Sequence, residues 1–273
     1  MLELRHKKSG EVVAALEIDT LAKADLSGLD LAGVSLRDRL LFNTDLSDAN
    51  LSGADLTGAR LPYVILRGAN LHKASLRGTE ISDADLSNAD LSEVNLTRSI
   101  LFATRLQGAD MHSILLSFSR VSMCDLSDRS LCAVRWRHAD FSRVNLSGAD
   151  LSQSHLLGLT LHQCDLRETR MMGTVVKSTT IRDCDLAGLD LTGVTLQSIC
   201  FINCRNLHLA SGLESIQHKK SWSWQGPSSL DAATIRASIH HLPDAFVLGL
   251  GYSQEEIEGW RRIYPNAPNP RGD

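Results

Sequence analysis

The chain has 273 residues, 43% of them hydrophobic and only 5% aromatic, with a formal net charge of −4 and a pI near 6.2. That is enough apolar material for a sizeable core of small aliphatic side chains, and too mild a charge to grip nucleic acid or an anionic membrane. No run of about 18 apolar residues predicts a membrane-crossing helix. The first residues lack the apolar stretch of a secretion signal, so a cytoplasmic protein is expected.

Residues 1–20 predict a β-hairpin cap. Leu2-Glu3-Leu4-Arg5-His6 alternates in polarity, Lys7-Lys8-Ser9-Gly10 makes a turn, and 11–18 form a second apolar-rich run. Such a hairpin would cover an open β-edge at the start of whatever follows.

From residue 21 to residue 201 an apolar side chain recurs at every fifth position without a slip, from Leu21, Leu26, Leu31 and Leu36 to Leu191, Leu196 and Phe201. Two positions before this anchor a small residue is usual, as at Ala24, Ala49, Ala54, Ala59, Ala69, Ala84 and Ala89. On a helix, five residues drift by about 140°, so no helical stripe persists, and a period of two is equally excluded. A fixed short period specifies a solenoid in which each unit supplies one inward anchor and then turns.

The units Ala24-Asp25-Leu26-Ser27-Gly28, Ala49-Asn50-Leu51-Ser52-Gly53, Ala54-Asp55-Leu56-Thr57-Gly58 and Ala149-Asp150-Leu151-Ser152-Gln153 resemble the pentapeptide-repeat family. The resemblance covers about two thirds of the chain. It implies an all-β solenoid, a right-handed quadrilateral parallel β-helix with four units per coil, the anchor and the small residue pointing inward. A 20-residue coil stacks Leu26, Leu46, Leu66 and so on to Leu186, and that column is leucine throughout, whereas the Leu21 column mixes Leu, Ile, Val and Phe. About nine coils spanning 21–205 would make a rod about 45 Å long.

Cys124, Cys164, Cys184 and Cys204 occupy the small inward slot and read as reduced buried thiols, and no CxxC or zinc spacing occurs. Arg39 and Arg129 stand in that slot too. A buried unpaired Arg is very costly, so either the coil bulges there or the side chain escapes outward, and a partner contact is the functional reading. Residues 206–264 leave the beat and predict a C-terminal strand and helical cap. Ser221 to Pro227 reads as extended chain and turn. A helix is expected over about 230–242 capped by Ser228 or Ser229, a short one from Pro243 through Val247, and a third to about Tyr264 opened by a Ser253/Glu256 capping box. The tail 265–273 is expected to be disordered. Gly226-Pro227-Ser228-Ser229-Leu230-Asp231, followed by Leu242-Pro243-Asp244-Ala245-Phe246-Val247, resembles a C-terminal segment of bacterial pentapeptide-repeat proteins that can precede TIR domains. That resemblance implies an accessory role in a bacterial defence system.

No catalytic constellation, metal motif or cofactor-binding motif is present, so neither enzyme activity nor a cofactor is expected. Three surfaces are candidates. An outward apolar strip of Leu40, Phe42, Tyr63, Ile100, Phe102 and Met123, with Leu115 and Phe118 round the corner, fits a protein partner. The column Asp25, Asp45, Asp85, Asp125, Asp165 and Asp185 fits a mimic of DNA phosphates, and the family includes proteins thought to protect DNA gyrase in this way. The 21 acidic and 19 basic residues of 21–205 nearly cancel, and a polyanion mimic needs stronger asymmetry. Such aspartates can also bond nearby backbone N–H groups. Trp222, Trp224 and Trp260 are candidate homodimer contacts in the C-terminal segment. The expectation is a protein-interaction scaffold, with a topoisomerase-protecting DNA mimic as the alternative and no direct binding of nucleic acid or membrane.

Overall fold

The computed structural model describes residues 1–218 and 229–264; the expected Ser221–Pro227 extension, Trp222, Trp224 and the 265–273 tail lie outside the described residues. The chain opens with the expected hairpin, β1 (Leu2–Arg5) antiparallel to β2 (Val12–Leu16). It docks on the first coil through a His6–Val34 bridge and the backbone bonds Lys7 N to Gly33 O and Ser35 N to Arg5 O, and it buries Leu4. Gly33 sits at φ +64°, and a Cβ there would fall 2.4 Å from the His6 ring, so any larger residue would have to displace that ring.

Behind the hairpin runs a parallel β-solenoid of about eight turns, close to the nine expected. Its strands are short. In chain order they are β3 (Arg60–Pro62), β4 (Glu80–Ser82), β5 (Ile100–Phe102), β6 (Arg120–Ser122), β7 (Arg135–Arg137) and β8 (Asp140–Ser142). Next come β9 (His155–Leu157), β10 (Thr160–His162), β11 (Val175–Lys177), β12 (Thr180–Arg182), β13 (Thr195–Gln197) and β14 (Cys200–Ile202). Each strand from β3 to β12 pairs in register with the residue 20 positions on, as Leu61 with Ile81 and Trp136 with Leu156. The Leu21 face carries a nine-stranded sheet and the Leu36 face a five-stranded one, while the Leu26 and Leu31 faces are ladders of single bridges. The anchors are buried throughout, most at or below 2% exposure. Each fully buried leucine contributes about 1.5–3 kcal/mol.

The corners share one backbone conformation. The residue two past each anchor adopts left-handed backbone, with φ between +48° and +74° from Lys23 to Asn203. At most corners the amide one further on bonds back to the anchor carbonyl, as Ala49 N to Leu46 O at 3.2 Å; at the corners that leave β-strands, as after Leu61, Ile81 and Phe141, that bond is not made. Glycine, Asp and Asn tolerate this conformation, and larger residues adopt it at a cost.

Arg39 and Arg129 do not bulge their coils. Arg39 N bonds Leu36 O and Arg60 N bonds Arg39 O, the standard turn and ladder bonds, and the Arg39 side chain is exposed. Arg39 lies in the first coil, where Ala24 and Leu29 in the equivalent slots are also only half-buried and the hairpin covers Val34 alone. Arg129 is half-buried, and its Nε donates to Ser127 O at 3.0 Å.

The stack is interrupted once. Between the coil of 101–120 and that of 121–140, the backbone ladder is missing on three faces at the same level. Among the described residues, no backbone bond or bridge joins 105–116 to 125–135. Only the Leu21 face, through β5–β6–β8, and the bond from Phe118 N to Arg137 O hold across it. The cause is in the Leu36 column, where Trp136 stands among leucines and one valine. Its coil has fixed length, so the extra volume pushes along the rod axis. The indole, stacked on Phe141 at 5.2 Å, donates from Nε1 to Ile114 O at 3.3 Å, taking the acceptor that Arg135 N would use in a regular ladder. The interior stays closed, with Leu116, Leu126, Leu131 and Trp136 all buried.

At the far end β15 (Gln217–His218) extends the Leu36 sheet and β16 (Ser229–Leu230) the Leu21 sheet. Three helices follow: α1 (Ala232–Ser238), α2 (Asp244–Gly249) and α3 (Gln254–Ile263). The first is shorter than expected and its cap is neither serine. Ser229 belongs to β16, and the Asp231 carboxylate accepts from Thr234 N. The Pro243 start and the Ser253/Glu256 capping box appear as expected. Ile235, Ile239, Phe246, Val247 and Ile257 face the last coil and one another, extending the core to the end of the described chain. No helix among the described residues is long and apolar enough to cross a membrane.

Candidate functional site

The aspartate columns are built by the corners. In every one of Asp25, Asp45, Asp85, Asp125, Asp165 and Asp185, Oδ1 accepts the backbone N–H two residues on, at 2.9–3.2 Å. Asp30, Asp90, Asp110, Asp150 and Asp190 on the next face do the same. This Asx-type bond fixes the chain as it enters the corner. Arginines then face three of the six in the first column. Asp85 is bonded by Arg67 at 2.8 Å and faced by Arg105 at 4.0 Å, Asp165 is clamped by Arg167, and Asp185 lies 3.9 Å from Arg205. Burial pushes the Asp85 carboxyl up, but the bonds from Arg67 and from the Ser87 hydroxyl and amide outweigh it and hold the group at about 2. Asp25 is also lowered, by its Ser27 bonds, and Asp165 by its Arg167 bond.

The apolar residues lie where the strip was drawn, but as two islands. Leu40, Phe42 and Tyr63 form one; Phe42 is half-buried and meets the Tyr63 ring edge-on at 5.8 Å. Ile100, Phe102 and Met123 form the other, three coil levels along for the equivalent positions. Between them stand Pro62, Ser82 and an Arg60–Glu80 ion pair at 3.5 Å. Tyr63, Met123 and Phe118 are 51%, 50% and 54% exposed. The same three sit at left-handed corners, with φ of +58°, +56° and +60°. The sequence reading missed this backbone conformation. Its signal was their place two residues past an anchor, the slot where glycine, Asp and Asn are frequent.

Trp260 packs edge-on against Tyr252 within its own chain, at 4.8 Å, and is half-buried. The six cysteines are free. Burial pushes Cys204 up to about 11, and the Cys164 contact with burial pushes Cys184 higher still. His72 bonds Ser92 and His112 bonds Asp110, so the two share a face without meeting. Among the described residues, no group of three or more His, Cys, Asp or Glu is placed to hold a metal ion.

A family model for pentapeptide repeats matches 40–78, 79–117, 122–156 and 137–173, in eight copies. The matches leave out 118–121, at the level of the interrupted ladder. Among solved structures, a trypsin-treated form of QnrB1, a plasmid-mediated fluoroquinolone resistance protein, aligns over 67% of this chain and 89% of its own. The identity is 21% and the TM-score 0.51, which is a likeness of fold. HetL, a pentapeptide repeat protein involved in heterocyst differentiation regulation from the cyanobacterium Nostoc, aligns over 73% and 89% at 23% identity with a TM-score of 0.32. A thylakoid lumen pentapeptide repeat protein of Arabidopsis thaliana covers 35% of this chain and 63% of its own, at 29% identity and a TM-score of 0.29. No curated protein sequence matches the chain.

Proposed function

The chain belongs to the pentapeptide-repeat family, and from that premise we propose that it is a non-enzymatic scaffold that docks a protein partner on the apolar islands of its Leu21 face. One observation carries the reading. Tyr63 and Met123 spend free energy twice, exposing large apolar side chains and holding left-handed backbone that Gly, Asp or Asn adopts more cheaply. Every corner is left-handed; what marks these two is that the side chain held there is large, apolar and half exposed. Ile100 and Phe102 complete the second island on β5, where the sheet is continuous and the surface rigid. The test is binding by the variant Ile100→Ser/Phe102→Ser/Met123→Asn. Loss of a stoichiometric partner without loss of thermal stability supports the reading, and unchanged binding refutes it.

The alternative is a phosphate-like stripe of Asp25, Asp45, Asp85, Asp125, Asp165 and Asp185 presented to a type II topoisomerase. Its support is the fold shared with a fluoroquinolone resistance protein. Against it stand the turn-capping bonds of all six carboxylates and the arginines that face three of them, Asp85, Asp165 and Asp185. A supercoiling assay with gyrase, with and without a quinolone, separates the two; no effect at a molar excess of this protein sinks the mimic. Sedimentation tests the homodimer through the C-terminal segment, a monomer refuting it, and deletion with unchanged phage sensitivity would count against the defence role.

A further inference from the structure

On the Leu36 face, beyond the interrupted ladder, four cationic or imidazole side chains stand without partners. Arg135 and Arg137 project from β7, His155 from β9 and Lys177 from β11. Among the described residues none of them makes an ion pair or side-chain hydrogen bond, whereas Arg67, Arg167, Arg170 and Arg205 on other faces all pair with aspartates. None of the outward positions of β7, β9, β11 and β13 is a carboxylate. The strand register places these groups tightly. Arg137, Leu157 and Lys177 lie in one row, and Arg135, His155 and Val175 in the next. Two strand spacings separate Arg137 from Lys177, about 10 Å at the backbone, so both side chains reach over Leu157 from opposite sides. The result is a groove of about 340 Å³ with Leu157 and Val175 as its apolar floor.

From this geometry we propose that the groove binds a small phosphomonoester, its phosphate seated above Leu157 and its organic body on Val175. Two guanidinium forks, an ammonium and an imidazole line this one groove, a donor set that suits the three terminal oxygens and double charge of a phosphate ester. An extended polyanion is a poorer match, because the charge does not continue. The row ends at Leu115 and Ser117 on one side, where the coil is interrupted, and at Thr195 and Gln197 on the other.

Phenyl phosphate and inorganic phosphate, titrated at constant ionic strength and followed by amide chemical shifts, test the site. Phenyl phosphate should perturb 135–137, 155–157 and 175–177 selectively, at millimolar concentration or below, and bind more tightly than inorganic phosphate. Arg137→Gln should weaken it about tenfold and Arg137→Gln/Lys177→Gln further, with unchanged thermal unfolding. Absence of selective shifts, equal perturbation by chloride, or full affinity in the double variant overturns the site. Equal affinity for the two phosphates overturns the ester assignment.

Discussion

At the residue scale, the corner of each unit decides what a side chain is for. Asp at the position before the anchor closes the turn, which is why the aspartate columns recur on both the Leu26 and Leu31 faces. The Asp85 carboxyl is depressed to about 2, so its stabilising contribution is present above the ordinary carboxylate pKa of about 3.9 and is lost as pH falls from about 5 toward 2. His218, lowered by burial, acts in the same direction, because acid must charge a buried ring. Asp85→Ala should cost about 1–2 kcal/mol at neutral pH and flatten the acid limb of the stability curve, read by urea unfolding across pH; an unchanged limb would remove Asp85 from that role. The opposite sign is expected at the strained corners. Tyr63→Asn should stabilise the fold by about 1 kcal/mol while weakening the docking face, and destabilisation would mean that Tyr63 serves packing with Phe42 instead. Thiol chemistry follows burial. With Cys124, Cys164, Cys184 and Cys204 enclosed and Cys132 and Cys200 half-buried, the native chain should titrate no more than two thiols, and all six after denaturation.

At the element scale, the one irregular joint turns on Trp136. In a regular column Leu116 N and Arg135 N would complete the ladder; here both lack a backbone partner, and an indole N–H occupies Ile114 O. Trp136→Leu should let the coils close. Amide exchange at Leu106, Met111, Leu116, Ser130 and Arg135 should then slow by at least about tenfold. If instead the variant loses about 3–5 kcal/mol with no new protection, the indole fills a gap it did not create. The five-residue beat made the coil, its register and the N-terminal hairpin legible, because anchor spacing and the Lys7–Gly10 turn are local signals. The joint was not legible from spacing, since Trp136 keeps the beat and differs only in volume. Asp231 as the α1 cap was also missed, because Ser229 is drawn into β16 by pairing with Cys200, a contact 29 residues away. Arg39 and Arg129 left two outcomes open, and the outward escape follows from position: Arg39 belongs to the first coil, where the hairpin covers only Val34.

At the scale of the whole molecule, the rod separates its surfaces. The Leu21 face is continuous and carries the apolar islands, the Leu26 and Leu31 faces carry turn-capping aspartates, some of them paired with arginines, and the Leu36 face carries the unpaired cations beyond the joint. The regular core is fixed by the sequence pattern, but which outward residues matter depends on pairing that only three dimensions reveal. The aspartates looked like the charged surface until their turn bonds and arginines were placed. The central claim is that large apolar residues at left-handed corners are retained for contact. The most direct test measures unfolding free energy and partner binding together for the wild type and for Tyr63→Asn/Met123→Asn. The expected result is a more stable chain, by about 1 kcal/mol or more per site, that no longer retains the partner bound by the wild type. A variant that is less stable, or that binds as the wild type does, would contradict it.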